Sequence, residues 1–279
     1  QKCANHIFKL GGNVYAFDST TIDLCLSVFW WAKFRKKKGG IKVHTLYDVE
    51  TQIPAFFHIT EASVHDSKVM IEIPYEPSSY YIFDRGYNNF KILYKIHQIE
   101  AYFVVRAKKN LGYKSIQWKR RLPKNVLSDA SVLLTGFYPK QYYPEPLRLV
   151  KYWDEEQERE FTFITNAMHI SALQVAELYK NRWQVELFFK WLKQHLKIKR
   201  FWGTTENAVR IQIYAAICAY CLVAIIQHDM QLNRSTYEVL QILSISLTDK
   251  THLRDLFDKT KFQNDKERFG PNGPSLFNF

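Results

Sequence analysis

The chain has 279 residues, of which 47% are hydrophobic and 16% aromatic. Such a composition supplies a sizeable hydrophobic core, which excludes a disordered chain, a collagen-like fibre and a small disulfide scaffold. Lysine and arginine outnumber aspartate and glutamate by 39 to 27, and the resulting net charge of +12 favours a polyanionic partner such as nucleic acid.

Three extended segments come first, at residues 13–17, 41–47 and 53–60. Each is rich in β-branched and aromatic residues and is bounded by turn signals, which predicts an antiparallel meander. Gly39 with Gly40, and residues 48–51, are the predicted turns. The loop between the first two strands is strongly basic. Its cations are Lys33, Arg35, Lys36, Lys37 and Lys38.

A strand–helix–strand unit follows a short helical pattern at residues 64–73. Residues 80–83 form an apolar strand, apolar residues recur at helical spacing over residues 89–99, and residues 101–105 form another strand. The short connections predict that these two strands are parallel. With the meander they predict an α/β fold of the ribonuclease-H-like layout, with a mixed five-stranded sheet flanked by helices.

The character of the sequence changes after residue 108. Residues 109–165 lack a long helical period, contain clustered prolines and tyrosines, and include β-like runs at 147–152 and 161–165, which predicts a small β-rich insertion. Helical periodicity returns over residues 171–199 and 207–227. We therefore divide the chain into a first part of the core (1–108), the insertion (109–165), a helical second part of the core (166–248) and a loosely ordered polar tail (249–279).

Several features bear on the cellular compartment. Four cysteines are too few for a disulfide framework, and no secretory signal opens the sequence, so we expect a cytoplasmic protein. The apolar stretch of residues 211–226 is 16 residues long and predicts a buried helix without a membrane partner. Because the chain enters a strand almost at once, we expect that an N-terminal part is missing.

Two short apolar runs each end in one carboxylate, Asp18 after residues 14–17 and Asp84 after residues 80–83. If the two strands are neighbours, both carboxylates emerge at the same edge of the sheet, where open α/β sheets place their ligands. Two plain alternatives stay open. Asp18 could cap a turn or helix, and Asp84 could belong to an ordinary strand-to-helix turn.

The predicted helix after the insertion carries one carboxylate among many cations. Residues 178–205 contain Glu186 and seven basic residues. On one continuous helix, four polar residues would share a stripe within an arc of roughly 60°. They are Tyr179, Arg182, Glu186 and Lys193. The plain alternative is a surface ion pair of Glu186 with Arg182 or Lys190, worth about 0.3 to 0.5 kcal/mol.

The spacing of these four residues resembles a known family. It reproduces the Y-R-E-K signature of bacterial insertion-sequence transposases, which carry a DDE catalytic triad and cut DNA through a hairpin intermediate. The resemblance extends to Asp18 within FDST and to Asp84 within FDRGY. It covers the chain from about residue 13 to about residue 230.

The resemblance implies a role for each matched residue. Asp18, Asp84 and Glu186 would form the metal-binding catalytic triad, and Tyr179, Arg182 and Lys193 would hold phosphates of the transposon end. It also implies Mg²⁺, a homodimer bridged by double-stranded DNA of the transposon ends and the target, and a nucleoid-associated location in bacteria. The chemistry agrees, because a pair of Mg²⁺ or Mn²⁺ ions neutralises clustered carboxylates and serves an in-line displacement at phosphorus.

A second basic run lies between Glu100 and Asp129, where no acidic residue occurs. Such runs are often only solvated faces. Interleaved Tyr113 and Trp118 favour a surface that contacts DNA. We assign to that surface Arg106, Lys119, Arg120 and Arg121.

Three functions compete at this point. The first is a DNA transposase that catalyses metal-dependent cleavage through a hairpin, and strand transfer, at the ends of its own element. The second is a ribonuclease-H-like nuclease or resolvase without strand transfer, although the intact Y-R-E-K stripe counts against it. The third is a non-catalytic, DNA-binding remnant of a decayed transposase.

Overall fold

A computed structural model describes residues 10–35, 38–195, 201–234, 236–246 and 250–259. The strands in these residues are β1 (Val14–Leu24), β2 (Lys33–Arg35), β3 (Lys38–Asp48), β4 (Ile53–Glu61), β5 (Tyr80–Phe83), β6 (Tyr102–Arg106), β7 (Tyr113–Trp118), β8 (Val126–Leu134), β9 (Leu147–Asp154) and β10 (Arg159–Thr165). The helices are α1 (Asp66–Val69), α2 (Phe90–Gln98), α3 (Phe137–Tyr142), α4 (Ala172–Lys180), α5 (Trp183–His195), α6 (Glu206–Asp229), α7 (Thr236–Ile245) and α8 (Leu253–Lys259). Two 3₁₀ turns, Met70–Glu72 and Arg85–Tyr87, complete the described elements.

The strands form one mixed sheet. Its order is β2-β3-β1-β5-β6-β10-β9-β8-β7, and β4 also pairs with β3. The meander of β1, β3 and β4 is antiparallel, whereas β1 with β5 and β5 with β6 are parallel. The α/β fold class and all five predicted strands are therefore confirmed.

The sheet has ten strands in the described residues, twice the number predicted. Strand β10 pairs antiparallel with β6, and β9, β8 and β7 continue outward from β10. The strands of residues 109–165 thus extend the same sheet. Two of them, β7 and β8, escaped prediction. In β7 most side chains are exposed, so this edge strand lacks the apolar alternation that identifies a half-buried strand.

The glycine pair at residues 39 and 40 lies inside β3 and not in the predicted turn. A Cβ atom at Gly39 would come within 3.0 Å of the carbonyl oxygens of Leu24 and Ala32. Close approach of the backbones, and not a turn, therefore explains glycine at this position. The basic loop is also shorter than expected, because β2 occupies part of it.

The helix predicted over residues 171–199 is broken into α4 and α5. Ser171 starts α4 with a capping box that includes Gln174. At the other end, the side-chain amide of Asn181 donates to the carbonyl oxygen of Glu177 at 2.8 Å, a local bond of the kind that ends helices. Residues 196–200 lie outside the described residues. In the predicted loose tail, α8 is helical, and residues 260–279 are outside the described part.

The chain divides into two compact units, Gln1–Ile217 and Cys218–Phe279. In the first unit, β5 is buried along its whole length, and α2 contributes Leu93 and Ile96 to the same core cluster. The second unit has a smaller core that includes Val239 and Phe257. Helix α6 is longer than the predicted apolar stretch. By length and composition alone it could cross a membrane, a criterion that core helices also meet.

Candidate active site

Two carboxylates lie side by side at one edge of the central strands. The parallel pairing of β1 with β5 ends at Phe17 and Phe83, and Asp18 and Asp84 are the next residue on each strand. The prediction that these strands are neighbours is confirmed. Asp18 does not end its strand, however, because β1 continues to Leu24 with β3 as partner. The alternative that Asp18 caps a turn or helix is therefore wrong.

Tyr179 links helix α4 to the second of these carboxylates. It lies near the end of α4, and its ring packs 4.7 Å from the ring of Phe163. Its hydroxyl donates a hydrogen bond to Oδ1 of Asp84 at 2.8 Å. The end of α4 is thus held at the edge of the sheet by a contact to the carboxylate.

Arg182 connects the first carboxylate to Glu186. It lies in the break between α4 and α5, where its Nη1 donates to Oδ2 of Asp18 at 2.5 Å and its Nη2 to Oε1 of Glu186 at 2.6 Å. The Arg182 side chain is only 14% exposed. The predicted pair of Glu186 with Arg182 therefore exists, but its cation is buried and shared with Asp18.

The two aspartates titrate differently. Burial raises the pKa of Asp18 to about 6, and the nearby Glu186 and Asp84 add to this rise, while Arg182 opposes it. Burial also acts to raise the pKa of Asp84, but hydrogen bonds from the Arg85 amide and the Tyr179 hydroxyl outweigh it and hold that pKa below its usual range. The edge of the sheet thus holds one readily ionised carboxyl group and one that resists ionisation.

A pocket of about 450 Å³ opens beside Asp18 and Glu186. Helix α5 supplies most of its wall, because Val185, Phe188 and Leu192 are buried and turn the opposite side of the helix toward the pocket. The residues that line it are Asp18, Ser19, Thr20, Glu186, Phe189, Lys190, Lys193 and Gln194. Two acids and two lysines therefore share one pocket, which suits a ligand that brings both phosphate and metal.

Comparison with known families identifies the chain. The family model described as "Transposase DDE domain" matches residues 9–222. The chain belongs to the DDE transposases. This confirms the class of enzyme predicted from the sequence, a metal-dependent nuclease and transesterase that acts on DNA.

Individual relatives agree with the family. The chain is 37% identical over 246 residues to a sequence from Sinorhizobium fredii described as transposase y4zB, an alignment covering 86% of the chain and 67% of that relative. It is 31% identical over 205 residues to a sequence from Geobacillus stearothermophilus described as the transposase of insertion sequence element IS5377, with 74% and 54% covered. The chain thus spans between half and about two thirds of the length of these relatives.

Among solved structures, the chain is similar to piggyBac transposase in a synaptic complex with hairpin DNA. The TM-score is 0.52 at 12% sequence identity, and the similarity covers 88% of this chain and 56% of the other. At this identity the likeness concerns the fold. It confirms the ribonuclease-H-like architecture that the order of the five predicted strands indicated.

The transposase also has residues next to Asp18 that the predicted site does not include. Ser19 donates to Oδ1 of Asp66 at 2.8 Å, and the ammonium group of Lys42 lies 3.1 Å from the same oxygen. The Tyr87 hydroxyl donates to Oδ1 of Asp18 at 3.4 Å. These contacts tie β1 to its neighbours at the level of Asp18. Lys42 is a charged residue in a segment rich in β-branched and aromatic residues, which was the available signal.

Besides Tyr179, Arg182 and Lys193, the structure brings Arg106 of the second basic run near the carboxylates. Its guanidinium carbon lies 4.8 Å above the ring of Phe161, which in turn contacts Tyr179. Lys119, Arg120 and Arg121 follow β7 and are exposed, at the far end of the sheet from β1. The Lys119 ammonium group pairs with Asp129 at 3.0 Å.

The predicted use of a divalent metal ion is confirmed, whereas the identity and the number of the ions stay predictions. Membership of the DDE family implies the use of a divalent metal ion. Across the described ranges, no three His, Cys, Asp or Glu side chains lie close enough together to hold an ion in their present positions. The Arg182 guanidinium stands between Asp18 and Glu186 instead. The cation between these two carboxylates is therefore the side chain of Arg182.

Proposed function

We propose that this DDE transposase cuts DNA at the ends of its own insertion element through a hairpin intermediate and joins the freed ends to target DNA. Asp18, Asp84 and Glu186 are its catalytic carboxylates. One observation carries the proposal. The three residues come from two parallel strands and a distant helix, yet a single Arg182–Tyr179 pair of side chains reaches all three.

We assign to these carboxylates a pair of Mg²⁺ ions, for which Mn²⁺ can substitute. Carboxylate oxygens are the hard ligands that both ions prefer. Asp18 supports the assignment, because burial and two neighbouring carboxylates raise its pKa to about 6 although Arg182 opposes the rise. Arg182 alone therefore does not neutralise the negative charge of the site, and a bound cation would stabilise the ionised form of Asp18. When bound, such ions activate the attacking oxygen and stabilise the leaving oxygen of a phosphodiester.

Tyr179 and Arg182 position the carboxylates in this proposal. The Tyr179 hydroxyl fixes the orientation of Asp84. Arg182 neutralises its two carboxylate partners when DNA is absent. Its buried Nε has no hydrogen-bond partner among the described residues, so it keeps a donor for a phosphate oxygen. A phosphate that attracts the guanidinium would free the carboxylates for metal.

Further cations next to the site complete the phosphate contacts. The Nε of Arg106 is likewise buried and without a hydrogen-bond partner within the described chain. Lys193 lines the same pocket as the first and third carboxylates. We assign Tyr179, Arg182, Lys193 and Arg106 to the backbone of the transposon end.

We propose that residues 109–165 act as an insertion that contacts DNA and helps to form the hairpin. The core then consists of residues 1–108 and 166–248, with 249–279 as a separate tail. Lys119 shares its charge with the buried Asp129, whereas Arg120 and Arg121 are exposed. The two arginines therefore contribute more to DNA binding than Lys119 does. The other partner is a second copy of the protein on DNA, in the bacterial cytoplasm at the nucleoid.

The test compares Glu186→Gln with a matched control on duplex DNA that carries the end of the element. Glu206→Gln is the control, because Glu206 pairs with Arg210 at the same four-residue spacing and has the same exposure as Glu186, 52% against 53%. With Mg²⁺, the wild type and Glu206→Gln should release a hairpin-ended fragment, seen on a denaturing gel. Glu186→Gln should bind the duplex and leave it uncut.

Each alternative function predicts a different result. Normal cleavage by Glu186→Gln would show that the triad assignment is wrong. Cleavage without joining to target DNA would favour the nuclease. Binding without cleavage by the wild type, with every divalent metal tried, would favour the decayed remnant.

A further inference from the structure

A carboxylate that the proposed function does not use lies at the start of helix α1. Asp66 is the first residue of this helix, yet the cap is the side chain of His65, whose Nδ1 accepts a hydrogen bond from the amide of Ser67 at 3.3 Å. The Asp66 side chain contacts the sheet instead. Its Oδ1 accepts a hydrogen bond from the Ser19 hydroxyl at 2.8 Å and lies 3.1 Å from the ammonium group of Lys42. Asp66 thus connects α1 to both β1 and β3.

Lys42 holds Asp66 in place. Its side chain is only 14% exposed, and its ammonium group also donates to the carbonyl oxygen of Val64 at 2.8 Å. Lys42 lies opposite Thr21 in the antiparallel register of β1 and β3, and Thr21 is on the same face of β1 as Ser19. The three contacting side chains, those of Ser19, Lys42 and Asp66, therefore form one cluster on that face of the sheet.

Ser19 connects this cluster to the first of the proposed catalytic carboxylates. Its hydroxyl donates to Asp66, and its main-chain N–H donates to Oδ1 of Asp18 at 2.8 Å. The pairing of β1 with β5 ends one residue before Asp18, at Phe17. From there on, side-chain contacts replace the support that β5 gives to the earlier residues of β1. The position of the Ser19 amide, and with it that of Oδ1, therefore depends on Asp66.

The two oxygens of the Asp18 carboxylate have different surroundings. Oδ1 accepts from the Ser19 amide and, in a longer contact of 3.4 Å, from the Tyr87 hydroxyl. Burial, Asp18 and Asp66, in that order, raise the pKa of Tyr87, so its hydroxyl keeps the proton that it donates. A carboxylate oxygen offers about two acceptor sites, so both sites of Oδ1 are used. Oδ2 accepts from Arg182, the residue that a phosphate would attract.

We propose that Asp66 is a positioning residue, which acts through Ser19 to hold Oδ1 of Asp18 and so directs Oδ2 to the metal ion. The proposal rests on the proposed function, in which Asp18 is a metal ligand and Arg182 turns to phosphate. Groups that orient the ligands of a metal ion commonly contribute about 10- to 100-fold to metal affinity or activity. Asp66 has this effect without touching the metal ion or the DNA.

The experiment measures Mn²⁺ binding by the full-length protein on a duplex that ends at the boundary of the element, where no flanking bond is left to cut. Free Mn²⁺ is counted by electron paramagnetic resonance. Asp66→Ala should bind Mn²⁺ about tenfold more weakly than the wild type does. Asp66→Asn removes the same charge but keeps an oxygen that accepts from the Ser19 hydroxyl, so it should bind Mn²⁺ nearly as tightly as the wild type.

Two further variants test the route and the specificity. Ser19→Ala should weaken Mn²⁺ binding as Asp66→Ala does, and the double variant should be no weaker than either, because both residues belong to one connection. Asp255→Ala is the matched control, since it also removes an acidic residue from the first turn of a short helix. It should bind Mn²⁺ as the wild type does. Single-turnover cleavage of a duplex with flanking DNA should follow the same order, with unchanged affinity for the duplex.

Wild-type Mn²⁺ affinity of Asp66→Ala would overturn the proposal, even if its unfolding midpoint fell, because the role of Asp66 would then be structural. An equal loss in Asp66→Asn would also overturn it, since charge alone would explain the effect. Additive losses in the double variant would show that Asp66 does not act through Ser19. The proposed function stands in all three cases. If the wild type bound no Mn²⁺ and left the flanked duplex uncut, the proposed function would fail, and this inference with it.

Discussion

Asp129 on β8 and Arg148 on β9 form a buried ion pair. The two bonds, Nε to Oδ1 and Nη2 to Oδ2, are 2.7 Å and 2.8 Å long, and the side chains are 3% and 2% exposed. Nη1 of Arg148 also donates to the carbonyl oxygen of Ile170 at 2.5 Å, just before α4. We predict that Asp129→Asn lowers the free energy of unfolding by about 3 to 5 kcal/mol, because it leaves a buried guanidinium without its counter-ion.

The measurement is urea unfolding followed by circular dichroism at neutral pH. The control is Lys119→Met, which removes the second cation near Asp129. Because the Lys119 side chain is 57% exposed, its pair should contribute less than about 1 kcal/mol. Arg148 and Lys119 hold the pKa of Asp129 below its usual range although burial opposes them. The contribution of this carboxylate is therefore present above the unfolded-state pKa and is lost as the pH falls in the wild type but not in Asp129→Asn.

A double variant tests the reasoning further. Asp129→Leu/Arg148→Met removes both charges, so it should recover part of the stability that Asp129→Asn loses. Recovery should be incomplete, since the carbonyl oxygens of Ala167 and Ile170 lose their donor. A loss below 1 kcal/mol for Asp129→Asn, or an equal loss for Lys119→Met, would refute this account of the pair.

Three other changes have defined outcomes. Gly12→Ala should lower the thermal unfolding midpoint and cost about 1 to 3 kcal/mol, because its Cβ would lie 1.8 Å from the Ser78 carbonyl oxygen. His44→Gln should flatten the stability profile between pH 6.5 and 4; burial lowers the pKa of His44 to about 4, so unfolding takes up a proton in that range and costs the wild type about 3 kcal/mol. Tyr179→Phe should raise the pKa of Asp84 and slow DNA cleavage, as measured in single turnover.

Each of these has its own check. Gly11→Ala, where no described atom lies within 4 Å of the new Cβ, should stay within about 0.5 kcal/mol of the wild type. An unchanged slope of stability against pH in His44→Gln would assign the acid sensitivity to other groups. Unaltered cleavage by Tyr179→Phe at every pH would show that its hydroxyl does not position Asp84.

The central strands were predictable because their signal is local. Strand β5 is apolar throughout and is followed at once by a turn and the amphipathic α2, so composition and short connections specify a parallel pair. Strand β7 is different. Its residues are mostly exposed, and it is held by pairing with β8. The pairing of two strands cannot be read from the composition of either strand. The prediction therefore gave the sheet five strands, whereas it has ten in the described residues.

In the site, the proximity of the two aspartates was predictable, whereas the contacts of Arg182 were not. Parallel neighbours align the residues that follow them, which is why Asp18 and Asp84 could be placed together. The role of Arg182 depends on the break at Asn181, which bends the chain so that one guanidinium reaches two acids. A continuous helix was the better reading of the periodicity, because a side-chain bond to a single carbonyl oxygen does not disturb the apolar spacing.

Side chains alternate across β1, so Asp18 and Ser19 point to opposite faces of the sheet. Insertion of one residue between Val14 and Asp18 would turn the carboxylate away from α5 and bring Phe17 to its place. A change in chain length beyond Leu24, where β1 ends, leaves this register intact. The segment that follows β1 can therefore vary in length between relatives while Asp18 keeps its position in the sheet.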